Sequence, residues 1–210
     1  MILSIGQNKL SQAVEQPSSN GALGRNKDGY FHVRFQINMT SLSDFAVVSE
    51  RQDALQYLMN TIKFSFDRQL ADGSFEFSPP DELVNSPSYS PPVTGDLESG
   101  TAFYVSSLGL SLLSLQNSDW FVSNQEIQSF RKEIESLSPS FEKTLDYLIS
   151  KKAVLKQYDA KAPNRLLFDA LAYYSLGIYL SRIDAQNIAF EFIELALDLV
   201  DAEQGYFIEG

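Results

Sequence analysis

Stacked helical hairpins with a short N-terminal β element are the architecture this chain predicts, a mainly α fold, and three observations predict it. Apolar residues recur at steps of three and four through most of the chain after Ser49. Helices apolar almost all round alternate with helices apolar on one face. A Gly-aromatic ending recurs, as "KDGYFHVRF" from Lys27, "ADGSFEFSPP" from Ala71 and "QGYFIEG" from Gln204. Gly29 and Gly73 lie 44 residues apart and Gly73 and Gly205 lie 132 apart, three times as far. A unit of about 40–50 residues is the size of a helical hairpin.

Residues 1–45 read as an arm carrying one strand. The first 26 are polar and Gly/Ser-rich, whereas "GYFHVRFQINM" alternates Phe31, Val33, Phe35 and Ile37 with polar neighbours, the period of a half-buried strand. His32 falls on its outward, solvent-facing side. Residues 46–210 read as the helical domain. Ser49 and Gln52 form a capping box for a first helix over about 50–70, carrying Leu55, Leu58, Met59, Ile62 and Phe66 on one face. Gly73 stops it, and five prolines between Pro79 and Pro92 make the next segment a surface excursion. A second helix, about 99–116, is apolar nearly all round and therefore buried. Ser123 with Glu126 caps a third, and Ser138-Pro139 opens a fourth carrying Phe141, Leu145 and Leu148. The fifth, about 164–181, is again apolar on most sides, and the sixth, about 185–201, points Glu191, Glu194 and Asp198 to water.

Composition bounds the function. With 16 basic against 27 acidic residues the net charge is −11, so there is no basic surface for nucleic acid or anionic membrane. The absence of cysteine excludes disulfides and thiolate metal sites, and a single histidine excludes a multi-histidine metal centre. No metal or other cofactor is expected, since phosphate loops, zinc signatures and dinucleotide fingerprints are missing. The start of the chain lacks the pattern of a secretory signal, and no run of about 18 apolar residues occurs, which leaves the cytoplasm as the default location.

Alternating buried and amphipathic helices, with "DGSF" and "EQGYF" endings, resemble the α/α toroid proteins. Within that fold, "APNRLLFDALAYYSLGIYL" followed by "AQNIAFEFIELALDLVDAEQGYFIEG" looks most like the helical domains of polysaccharide lyases and related carbohydrate-active proteins. The resemblance implies a partial ring, because six helices fall short of the ten or more of a complete one. The expected forms are a fragment, an arc that dimerises through an apolar edge, or a bundle without a ring. It also implies a polysaccharide or oligosaccharide as ligand. Two other readings stand beside it: a non-catalytic protein-interaction module, and an isoprenoid-processing enzyme of the same fold, disfavoured by the lack of a "DDXXD" set.

The candidate site follows from that chemistry. Elimination from a uronate needs a group to neutralise the carboxylate, a base and an acid. Asn164 and Arg165 open the fifth helix at its positive end, and Tyr173 lies further along it; Asn164 is equally an N-cap. Asp169 stands in an apolar helix, either paired with Arg165 four residues earlier or serving as a raised-pKa glycosidase acid with Glu209 or Glu98 as the second carboxylate. Tyr104, Trp120, Tyr206 and Phe207 are sugar-stacking candidates that would otherwise be core.

Overall fold

The computed structural model describes residues 14–201, 203, 205 and 207. It is mainly helical, with one small antiparallel sheet near the N-terminus. Strand β1 (Phe31–His32) pairs with β2 (Phe77–Ser78), Phe31 opposite Ser78 and His32 opposite Phe77. The alternating stretch is thus strand for two residues only. From Val33 to Gln36 the chain turns into a 3-10 helix; Asn26 holds the His32 backbone just before it, and the Gln36 amide reaches back to the Gly21 carbonyl and the Leu23 N–H.

Helix α1 (Met39–Ser49) follows, unannounced by the sequence reading, and buries Met39, Leu42, Phe45 and Ala46. Ser49 closes this helix and does not cap the next one; Glu50 (φ 51°) returns its N–H to the Ala46 and Val47 carbonyls. Helix α2 (Gln52–Phe66) begins after the extended Arg51, whose guanidinium Nε holds Asp53 in the first turn at 2.8 Å. After α2 the expected Gly-aromatic turn forms. Gly73 (φ 93°) lets the chain double back so that Gln69 bridges Phe75. A Cβ there would stand 2.2 Å from the Lys143 carbonyl oxygen, so the position is closed to other residues sterically as well as conformationally. After the last helix Gly205 (φ 70°) sits within a matching Val200–Phe207 bridge.

The proline-rich segment carries one turn of helix, α3 (Asp81–Val84), and is exposed over most of its length. Helix α4 (Asp96–Gln116) is the buried spine. Next come α5 (Asp119–Ser123), α6 (Gln128–Ser136) and α7 (Ser138–Ser150), the last with Pro139 in its first turn as its sequence indicated. Ser118 caps α5 through the Phe121 N–H, and Asn124 accepts the Glu126 N–H, in place of the box read at Ser123. A further helix, α8 (Lys152–Tyr158), precedes α9 (Pro163–Tyr179) and α10 (Ile183–Leu197).

Helix α4 packs against α1 on one side and α9 on the other, while α2 packs on α1 and α10 on α9. Contact along α4 is close because its residues are small: a Cβ on Gly109 would lie 2.2 Å from Ser175 Oγ and 2.7 Å from the Leu176 backbone nitrogen. The apolar core is continuous, from Leu23 and Met39 through Leu55, Leu108 and Phe141 to Phe192. Each such side chain contributes about 1.5–3 kcal/mol through burial.

Candidate functional site

The chemically richest corner gathers at the N-terminus of α4. His32 leaves the short sheet there and, contrary to the outward position read from sequence, is only 6% exposed. Its backbone is clamped from both sides by Asn26, which accepts the His32 N–H at 3.0 Å and donates to the His32 carbonyl at 3.1 Å. Gln36 anchors Asn26 in turn, accepting from its amide at 3.1 Å. The imidazole stands edge-on to Phe35 and Phe77, and its Cε1 rests against Gly100, where a Cβ would come within 2.4 Å. Nδ1 accepts the Arg34 N–H at 3.2 Å, which puts the proton of the neutral ring on Nε2. Burial pushes the imidazole pKa down to about 4; the Asp96 carboxylate pulls the other way and the Arg34 cation reinforces the drop.

His32 separates two hollows. On one side a groove of about 420 Å³ is walled by Tyr30, Phe77, Tyr89, Pro91 and Tyr158, with Asp96 at its base. Tyr158 donates its hydroxyl to Asp96 at 3.1 Å. Its ring lies against Gly95, whose left-handed backbone (φ 100°) starts α4 and whose N–H is taken by the Glu98 carboxylate at 3.0 Å. On the other side a hollow of about 220 Å³ is lined by His32, Phe75, Glu76, Glu98 and Tyr147. Burial, followed by the charges of Glu98 and Asp72, pushes the Tyr147 hydroxyl pKa upward, so Tyr147 is a hydrogen-bonding group at neutral pH.

Behind Tyr158 lies a buried acidic pair. Asp159, between α8 and α9, and Asp169, within α9, are both fully buried, with Ser99 of α4 beside them. Asp159 Oδ1 meets Arg165 Nη1 at 3.4 Å, and the Arg165 guanidinium also lies over the Tyr158 ring, 5.6 Å from its centre. Asp159 Oδ2, both Asp169 oxygens and Ser99 Oγ are close enough to influence one another, yet none reaches normal hydrogen-bond geometry. Burial raises the pKa of both acids, and that of Asp169 rises furthest because the Asp159 charge adds to its burial. Each carboxyl of such a pair resists ionising beside the other, so the two titrate together rather than independently.

The residues singled out from sequence are dispersed. Arg165 and Asp169 do share this corner, but the acid that Arg165 contacts is Asp159. Asn164 is exposed and accepts the Arg165 N–H at 2.8 Å, with Ala162 in the cap position. Tyr173 is fully buried, donates to the Leu148 carbonyl at 2.6 Å and stacks on Phe192, and Tyr104 is buried beside Phe66 and Phe75. Neither lines the two hollows. Trp120 packs half-buried on the core, and Glu98 stands at the rim. Tyr206 and Glu209 lie outside the described residues. His32, Asp96, Tyr147, Tyr158 and Asp159 are not marked as members of a site by local sequence; the signal for two of them is a lone histidine in an aromatic stretch and the "GD" that opens α4.

Among the described residues no helix is long and apolar enough to cross a membrane. Nor is any group of three or more His, Asp or Glu side chains among them arranged to hold a metal ion. No protein-family model matches the chain, and no curated protein or solved structure matches it.

Proposed function

We propose that the chain is a carbohydrate-active helical domain that takes a neutral oligosaccharide in the groove between His32 and Tyr158. The observation that carries this reading is the composition of that groove. Flat aromatic walls at Tyr30, Phe77, Tyr89 and Tyr158 flank a carboxylate, Asp96, and a neutral imidazole whose free ring position is a donor. Apolar faces with a few convergent polar groups are what a sugar ring, apolar above and below and hydroxylated at its edge, requires. Among the described residues, the linings of the groove and the adjoining hollow contain no Lys or Arg and do contain Asp96, Glu76 and Glu98. A uronate would meet like charge there. Within the reading, hydrolysis by carboxyl groups is therefore favoured over elimination, which needs a cation at the sugar carboxylate.

We read the architecture as an arc of an α/α toroid. In support, α1, α4 and α9 pack in succession, α2 and α10 lie against the first and last of them, and the turns after α2 and α10 close with the same kind of bridge. The groove then belongs to the rim at which α4 begins.

Thermal unfolding in the presence of neutral gluco-, xylo- and manno-oligosaccharides, with oligogalacturonate alongside, tests the proposal. Binding at about a hundred times Kd stabilises by about 2.7 kcal/mol, equivalent to a rise of about 5–11 °C for a chain of this size. The expected result is a rise with a neutral glycan that is lost in Tyr158→Ala and Asp96→Asn. No rise with any neutral glycan, or a rise untouched by both substitutions, overturns it.

A further inference from the structure

Helices α9 and α10 close the row of packed helices, and each carries an outward apolar row, interrupted on α10 by the exposed Asn187 and Glu194. On α9, Leu167, Tyr174 and Ile178 lie outward, whereas Phe168 stacks on Phe103 of α4, and on α10 Ile183, Phe190 and Leu197 recur every seven residues; these six outward side chains are 37–65% exposed. The two helices double back through Leu180–Arg182, so their exposed rows run side by side as a ladder. Tyr174 and Phe190 meet across it, their rings edge-on at 6.1 Å. At roughly 200 Å² per side chain, the exposed part of this ladder amounts to roughly 580 Å². That is at the upper end of the largest apolar patch of a typical monomer, about 300–600 Å².

We propose that this face is an interface between two copies of the chain. Area favours that occupant: two such faces meeting bury about 1,200 Å², at the lower end of the 1,200–2,000 Å² of stable protein interfaces. A two-fold contact must also be complementary to itself, and a ladder of aliphatic and aromatic rungs meets this condition where a groove or a single-sign charged patch would not. The net charge of −11 opposes the approach of two copies. Added salt therefore strengthens this association, the reverse of its effect on capture of a basic partner.

Sedimentation equilibrium over about 5–200 µM protein, at low and moderate NaCl, tests this on the whole chain. The expected result is a mass rising toward twice 23.5 kDa, with tighter association in salt. Phe190→Glu and Leu197→Glu, both at exposed positions, return the mass to that of a monomer while far-UV circular dichroism stays unchanged. A second readout uses the absence of cysteine: Tyr174→Cys and Phe190→Cys form cross-linked dimers under mild oxidation much faster than Val93→Cys, which is 64% exposed outside this face. A chain that stays monomeric throughout, a dimer indifferent to both glutamates, or equal cross-linking at all three cysteines overturns the assignment.

Discussion

Acidification probes the environment of His32 directly. A histidine with a folded pKa near 4, against 6.5 when free, binds its proton more readily in the unfolded chain. Its contribution to stability is therefore complete above about pH 6.5 and is lost as the pH falls toward 4. For those two values the linkage relation gives a loss of about 2 kcal/mol between pH 8 and pH 5, and about 3 kcal/mol by pH 4. Asp159 and Asp169 titrate with the opposite sign, so the wild-type curve alone does not isolate the imidazole. His32→Gln does, because its amide oxygen still accepts the Arg34 N–H and nothing on it titrates. Urea unfolding of both proteins at pH 8, 6.5 and 5 is the assay. The stability advantage of the wild type shrinks by about 2 kcal/mol from the first pH to the last. An advantage independent of pH would show that the imidazole charges as easily in the fold as in water, and the burial argument would fail.

Asp169→Asn tests the acidic pair. An acid with a raised folded pKa favours the fold below the ordinary carboxylate range and loses that contribution as pH rises toward the folded pKa. The neutral amide escapes the loss and gains on wild type as pH rises, by about 1–3 kcal/mol at pH 8, which melting curves at pH 5 and 8 resolve as an increment of about 2–12 °C. Gly109→Ala drives a methyl group into Ser175 and the backbone of α9. Its cost of about 1–3 kcal/mol appears as a lower urea midpoint with an unchanged slope.

Much of the helical frame was legible in the sequence because it rests on local periodicity. The apolar faces of α2, α7, α9 and α10 repeat at three and four residues, and Gly73 announced the turn it makes. What was not legible depends on partners distant along the chain. Ser49 and Gln52 have the spacing of a capping box, but Ser49 belongs to α1, a helix whose weakly amphipathic run "MTSLSDFAVVS" becomes stable by packing on α4. The alternation at 30–37 looked like a strand because nothing in its period shows that Asn26 will hold the His32 backbone or that Gln36 will turn back to Gly21 and Leu23. The site was dispersed for the same reason. Arg165 and Asp169 are four apart on one helix, a spacing that predicts a pair, yet Asp159 arrives from the preceding turn and takes the arginine. His32 and Asp96 are 64 residues apart and meet only because β1 lies across the start of α4.

The bare stretches of α4 have a mechanical consequence. Gly100 abuts the His32 ring, Ser107 hydrogen-bonds the Ile37 carbonyl, and Gly109 touches Ser175, so three neighbours rest on this helix with almost no padding. Long side chains act as springs that let helices slide past one another; contacts this short are stops. A ligand arriving at the rim thus meets a floor that does not yield, and accommodation falls to the exposed Pro79–Val93 segment, held at one end by the Phe77 pairing and at the other by Gly95 on Tyr158. If the groove takes the oligosaccharide proposed above, changing the length or proline content of that strap would alter which chains fit, and would leave the floor as it is.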